Sequence, residues 1–253
     1  MDLANAVAGV APLQLALVAA VALLASVIGG VAGYGTGALM PLILVPLVGA
    51  EPVVPIIAIS ALLTNAGRAA AFRSFIDRRR VLIVLAAATP TCILGAYGYT
   101  RLTNTGAMLV IGAMLILTVP LRRLLRRRDF RVGESGVAVG AAGYGVLVGG
   151  TAGSGVILLS LLMAAGLEGA GVVATDAAVS IVIAAVRMLV FGLAGVVSAQ
   201  VIALALLIGG ISLPGAFLAK ALVQRLPVHL HAVVLDAVVL IGGAVMVARA
   251  LRP

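Results

Sequence analysis

Residues 3–50 contain no charged side chain. As one straight helix they would run about 72 Å at a rise of 1.5 Å per residue, more than twice the roughly 30 Å hydrocarbon layer of a membrane. The run must break, and glycine marks the place: Gly29, Gly30, Gly33, Gly35 and Gly37 crowd its middle. A span is expected at about 12–31, then a short helix at about 38–49 that carries Pro41 and Pro46. Further spans follow at about 53–75, 81–99 and 104–123, and the stretch from Arg122 to Glu134 reads as a charged loop.

The second half repeats this layout. Residues 135–167 are again uncharged, about 50 Å if straight, and are interrupted at Gly149, Gly150, Thr151, Ala152, Gly153, Ser154 and Gly155. A short helix at about 156–166 and spans at about 169–192, 198–222 and 230–250 complete the chain. Gly35-Thr36-Gly37 lies on Gly153-Ser154-Gly155 at an offset of 118 (153 minus 35), and Glu51 on Glu168 at 117 (168 minus 51). An internal duplication follows: a first repeat at 1–123, a basic cytoplasmic linker at 124–134, and a second repeat at 135–253. Each repeat holds four long helices and one short one. The expected fold is an all-α, polytopic integral membrane bundle of two inverted repeats, each with a Gly-broken first helix.

Composition excludes most other classes. Apolar residues make up 63% of the chain and charged ones 10%, against roughly 25% charged in a soluble domain. The net charge of +9 does not point to nucleic acid. Ten of the 17 Lys+Arg residues fall within 73–80 or 122–131, bunched between apolar runs as membrane orientation requires. The total count does not fix the orientation of the halves. Matching loops do speak to it: the one after Arg73 is rich in arginine and its counterpart near Gly195 has none, as expected for loops on opposite faces. Met1-Asp2-Leu3 has no basic n-region, which argues against a cleaved signal peptide. Cys92 is the only cysteine and excludes an intramolecular disulfide. No cofactor and no metal is called for. Oligomers are possible, and the sequence does not decide between states.

Paired glycine-interrupted segments at matching places in two halves point to a transporter's binding site. Broken backbone at membrane depth is tolerated only where it lines protein or a wet cavity. The expected site lies where the breaks face each other: Gly35, Thr36, Gly37 and Ala38 from the first, Gly153, Ser154, Gly155 and Val156 from the second. Free amides at 37–39 and 155–157, with two positive helix ends, would hold an anion. Thr36 and Ser154 would either cap the short helices or face the ligand. Gly145, Gly149 and Gly153 also form a small-xxx-small series suited to helix packing.

Charged residues inside spans carry two readings each. Arg68 and Arg187 can snorkel to the interface or serve as counter-charges for an anion. Asp176 is too short to snorkel; it pairs with an arginine, caps a helix, or carries a coupling proton. Thr64, Asn65 and Ser180 are expected to hydrogen-bond across helices, with Asn65 also a candidate contact. His229, His231 and Asp236 are expected at the interface. Ala152-Gly153-Ser154-Gly155 resembles faintly the motif of a membrane-embedded serine hydrolase, but neither histidine lies deep in a span, and Thr36 repeats the break without a serine. No catalytic residue is assigned.

The whole pattern resembles the sulfite exporter TauE/SafE family of permeases. The likeness rests on the two Gly-rich breaks with Pro41 and on the polar pairs Ile59-Ser60 and Thr175-Asp176. It extends to Phe75-Ile76-Asp77-Arg78, Gly95-Ala96-Tyr97-Gly98, Gly192-Leu193-Ala194-Gly195 and Pro214-Gly215-Ala216-Phe217. It covers nearly the full length. The chain departs from the family where Thr36 and Ser154 interrupt the glycine runs and where Thr151 replaces a glycine. The resemblance implies a non-enzymatic permease for a small sulfur-containing oxyanion, such as sulfite or an organosulfonate, in the bacterial inner membrane. It adds Ser60 and Thr175 to the candidate substrate contacts. Another small organic anion is the alternative cargo.

Overall fold

A computed structural model describes residues 11–32, 36–126, 131–222 and 228–252. Ten α-helices follow one another: α1 Pro12–Ala32, α2 Thr36–Val48, α3 Val53–Ala71, α4 Arg78–Tyr99 and α5 Asn104–Arg126, then α6 Glu134–Gly150, α7 Gly155–Ala164, α8 Gly169–Leu193, α9 Ala199–Leu222 and α10 Val228–Ala250. Among the described residues there is no strand. Among the described residues four helices, α3, α4, α5 and α8, are long and apolar enough to cross a membrane by length and composition alone. The protein is a polytopic helical membrane protein.

Three boundaries depart from the sequence reading for physical reasons. Gly149 and Gly150 lie inside α6, so that helix runs further into its glycine run than expected, while α1 takes in Gly29 and Gly30 as the expected span at about 12–31 does. The second break is confined to 151–154, and the first falls on 33–35, outside the described residues. The span expected to reach residue 75 leaves the α-helix at Phe72 and makes a 3-10 turn at Arg73–Phe75. That turn delivers the Asp77 amide to the Thr175 hydroxyl, 3.1 Å away on α8. Asp77 then caps α4 by accepting from the Arg80 amide at 3.0 Å, so α4 begins three residues earlier than expected.

Helix ends obey local chemistry. Gly49 and Gly166 terminate the two short helices with φ of 80° and 89°, the left-handed conformation that glycine adopts without penalty. At Gly166 the bonds Gly166 N–H to Met163 C=O and Leu167 N–H to Leu162 C=O form a Schellman motif.

Helix packing pairs the halves crosswise. α4 lies against α6, and α1 against α9; α3 meets α9, and α4 meets α8. α3 faces α8 and α5 faces α10. Exchanging each helix for its counterpart five places on leaves these contacts unchanged, as a two-fold relation between repeats requires. The α4–α6 seam is the tightest. A Cβ on Gly95 would stand 2.2 Å from the Val146 carbonyl oxygen, one on Gly145 2.3 Å from that of Ala88, and one on Gly149 2.3 Å from that of Cys92. The packing role foreseen for the glycine series thus belongs to Gly145 and Gly149, upstream of the break itself.

Candidate functional site

The first turn of α2 meets the second break, and together they line a cavity of about 140 Å³ against α3 and α8. A Cβ on Gly37 would stand 3.3 Å from the Gly153 amide nitrogen, so the first turn of α2 touches the second break. Gly153 holds φ of 87°, which an L side chain adopts only with strain. Thr118 on α5 backs it, donating to the Met114 carbonyl at 2.7 Å and to the Gly153 carbonyl at 3.5 Å.

From the first half, Thr36, Gly37, Ser60, Asn65 and Arg68 line the cavity; from the second, Gly153, Ser154, Gly155, Asp176 and Arg187. Gly35 lies outside the described residues. Ala38, Val156 and Thr175 are buried away from the lining. Thr175 is committed to the Asp77 amide and holds the 73–77 turn onto α8. The amide cradle is also smaller than expected, because the Ile157 N–H already donates to the Ser154 carbonyl at 2.9 Å.

Ser154 occupies the N-cap position of α7, yet its φ of −73° and ψ of −7° are helical and its side chain makes no capping bond. An N-cap hydroxyl works from an extended backbone, so this one is left to the cavity. Ser154→Ala should therefore weaken anion affinity about tenfold, or 1.4 kcal/mol, while melting temperature stays nearly constant. A lower melting temperature at unchanged affinity would make the hydroxyl structural.

Thr64 and Asn65 do not reach across helices. Each bonds back along α3, Thr64 Oγ1 to the Ser60 carbonyl at 3.0 Å and Asn65 Nδ2 to the Ala61 carbonyl at 2.9 Å. Both, with Ser180, line the cavity. Asp236 is buried among the helices at 3% exposure. The side chains of His229 and His231 lie outside the described residues.

The two intramembrane arginines differ. Arg68 Nη1 lies 3.6 Å from Asp176 Oδ2, a pair that ties α3 to α8. Asp176 Oδ1 has no hydrogen-bond partner. Arg187 is 5% exposed, too enclosed to snorkel. Its Nη2 donates weakly, at 3.4 Å each, to the carbonyls of Val54 and Thr151. The guanidinium carbon sits 5.9 Å from the centre of the Phe191 ring, and Nε has no partner. No described carboxylate pairs with it. A buried cation held only by carbonyl dipoles is costly unless an anion joins it.

Helix dipoles contribute less than expected. Each break brings a C-terminus (α1, α6) beside an N-terminus (α2, α7), so half-charges of opposite sign oppose one another. Sequence reasoning overlooked Ser26, Tyr144 and Thr151 in the lining. Ser26 and Tyr144 are related by the same offset of 118 (144 minus 26), a signal that the duplication could have supplied. Ser26 Oγ is spent on the Ser212 carbonyl at 2.6 Å.

The family model described as sulfite exporter TauE/SafE matches residues 18–246. The chain belongs to that family. No curated protein matches it, and no solved structure does. TauE/SafE proteins are membrane transporters rather than enzymes. The family thus supplies a transport context for a polar cavity lined by the second break and the start of α2.

Proposed function

We propose that this TauE/SafE protein carries a small sulfur-containing oxyanion, such as sulfite or an organosulfonate, across the bacterial inner membrane. One observation carries the reading: Arg187, a buried guanidinium with an unpartnered Nε and no carboxylate partner among the described residues, lines the cavity at the second break. An oxyanion there accepts from Arg187, from the Ser154 hydroxyl and from amides at the start of α2 and α7. The volume suits the cargo, since a cavity of about 150 Å³ takes a benzene-sized guest. Ile57, Val148 and Ile183 in the wall leave room for a short carbon tail, which favours an organosulfonate or another small organic anion over a bare inorganic ion. Proteoliposomes should show saturable flux of at least one sulfite or sulfonate. Absence of saturable flux for every sulfur oxyanion and small carboxylate would defeat the proposal.

Proton coupling through Asp176 belongs to the same proposal. Among the described residues it is the one carboxylate in the lining, and its buried Oδ1 has no hydrogen-bond partner, which leaves a place for a proton. A pH gradient should drive uptake in the wild type and fail to do so in Asp176→Asn.

The inverted arrangement of the repeats is likewise proposed. The unequal arginine content of matching loops supports it, while the crosswise helix contacts fit any two-fold relation between the repeats. Single cysteines at 77 and 195 should be labelled from opposite sides of the membrane. Labelling from one side would replace it with a parallel arrangement.

A further inference from the structure

Among the described residues three ionisable side chains line the cavity: Arg68, Asp176 and Arg187. Asp176 lies 3.6 Å from Arg68 and cancels it, while Arg187 has no carboxylate partner among the described residues. Opposed helix ends at each break add little net charge. The described lining therefore carries one uncompensated positive charge, on a guanidinium that is itself buried. From this geometry we infer that Asp176 sets the charge of the cargo, selecting monoanions over dianions. The inference rests on the anion-permease reading above and deepens it.

The physics is one of matching. A monoanion beside Arg187 leaves the cavity neutral. A dianion of the same size leaves one buried negative charge uncompensated, and an unpaired charge in a low-dielectric space is strongly disfavoured. Asp176 is held where it does this: it is 4% exposed, and its Oδ1 makes no other bond. Removing its charge releases Arg68 and raises the cavity to two net positive charges. A sulfonate or hydrogensulfite is thus preferred over sulfate, thiosulfate or the sulfite dianion.

Methanesulfonate and sulfate form a matched pair of probes, both tetrahedral and of similar size, differing by one charge. Equilibrium binding of each to the purified full-length protein, at one fixed, mildly alkaline pH, tests the idea. The methyl group favours methanesulfonate in every variant alike, so the readout is the change in the affinity ratio. Wild type should bind methanesulfonate at least tenfold more tightly than sulfate. Asp176→Asn should shift the ratio at least tenfold toward sulfate, and the double variant Arg68→Gln/Asp176→Asn, back at one net charge, should restore it. Should Asp176→Asn fail to fold, Arg68→Gln brings the cavity to zero net charge and should lower methanesulfonate affinity at least tenfold. An unchanged ratio in Asp176→Asn, or unchanged affinity in Arg68→Gln, overturns the inference and leaves the permease reading standing. Failure of wild type to bind either probe or sulfite overturns both.

Discussion

Arg187→Gln should abolish anion binding while leaving the empty protein as stable as before, or more so. The two effects have one cause. Arg187 is buried, its Nε is unpartnered, and its Nη2 contacts are carbonyl oxygens at 3.4 Å, so in the empty cavity it is a charge without adequate compensation. Replacing uncompensated buried ionic groups by neutral ones is often neutral or stabilising. Removing one member of a buried charge pair in a complex costs about 2–5 kcal/mol, so affinity should drop some 30-fold or more. Arg187→Lys keeps the charge but loses the planar fork and the seat over Phe191, and should fall between the two. Calorimetric binding together with melting temperature of the ligand-free protein checks this. A variant that melts lower and binds normally would make Arg187 a structural residue bridging α8 to Val54 and Thr151.

Alanine substitutions along α6 should change stability with opposite signs at positions six residues apart. Gly143 has open space where a Cβ would stand, so Gly143→Ala should gain the ordinary helix advantage of about 0.5–1 kcal/mol. A Cβ at Gly149 would lie 2.3 Å from the Cys92 carbonyl oxygen and 2.7 Å from the Ala96 amide nitrogen. Carbon and carbonyl oxygen approach to about 3.3 Å at closest, so α4 and α6 must separate by about 1 Å. Backbone cannot rotate aside as a side chain does. Overpacking of this kind costs about 1–3 kcal/mol, which exceeds the propensity gain. The displacement also moves Tyr144 and Val148, which line the cavity from the same helix, and Thr151 just beyond its end, so anion affinity should fall with stability. Melting temperatures of the two variants in detergent, measured side by side, decide the matter. Equal and small effects would mean that the seam is loose.

Much of the architecture was legible from one-dimensional chemistry. An apolar run too long for the bilayer has to break, and the residue that permits the break is glycine, so the ten helices and both short ones follow from position alone. The same holds for the left-handed stops at Gly49 and Gly166, where a local backbone conformation selects the residue. Errors arose where a boundary depends on a distant partner. The end of α3 at Phe72 reflects the reach of Asp77 to Thr175, 98 residues away, and no local pattern contains that distance. Thr175 looked like a substrate contact because, with Asp176, it forms one of the polar pairs that carry the family resemblance. It is occupied because the 73–77 turn happens to fold onto it.

The site divides along the same line. That polar groups gather at the breaks could be read from the sequence, since backbone freed by glycine needs partners and charges in a span need company. Which arginine is paired could not, because Arg68 and Arg187 occupy corresponding places in the two repeats and look equivalent along the chain. The packing of α3 against α8 sets Asp176 beside Arg68 and leaves Arg187 facing the second break. Charge interactions fall off with distance in space, not along the chain. The hydrophobic pattern therefore determined by itself where this protein breaks its helices, and only the tertiary structure decided which buried cation was left without a partner.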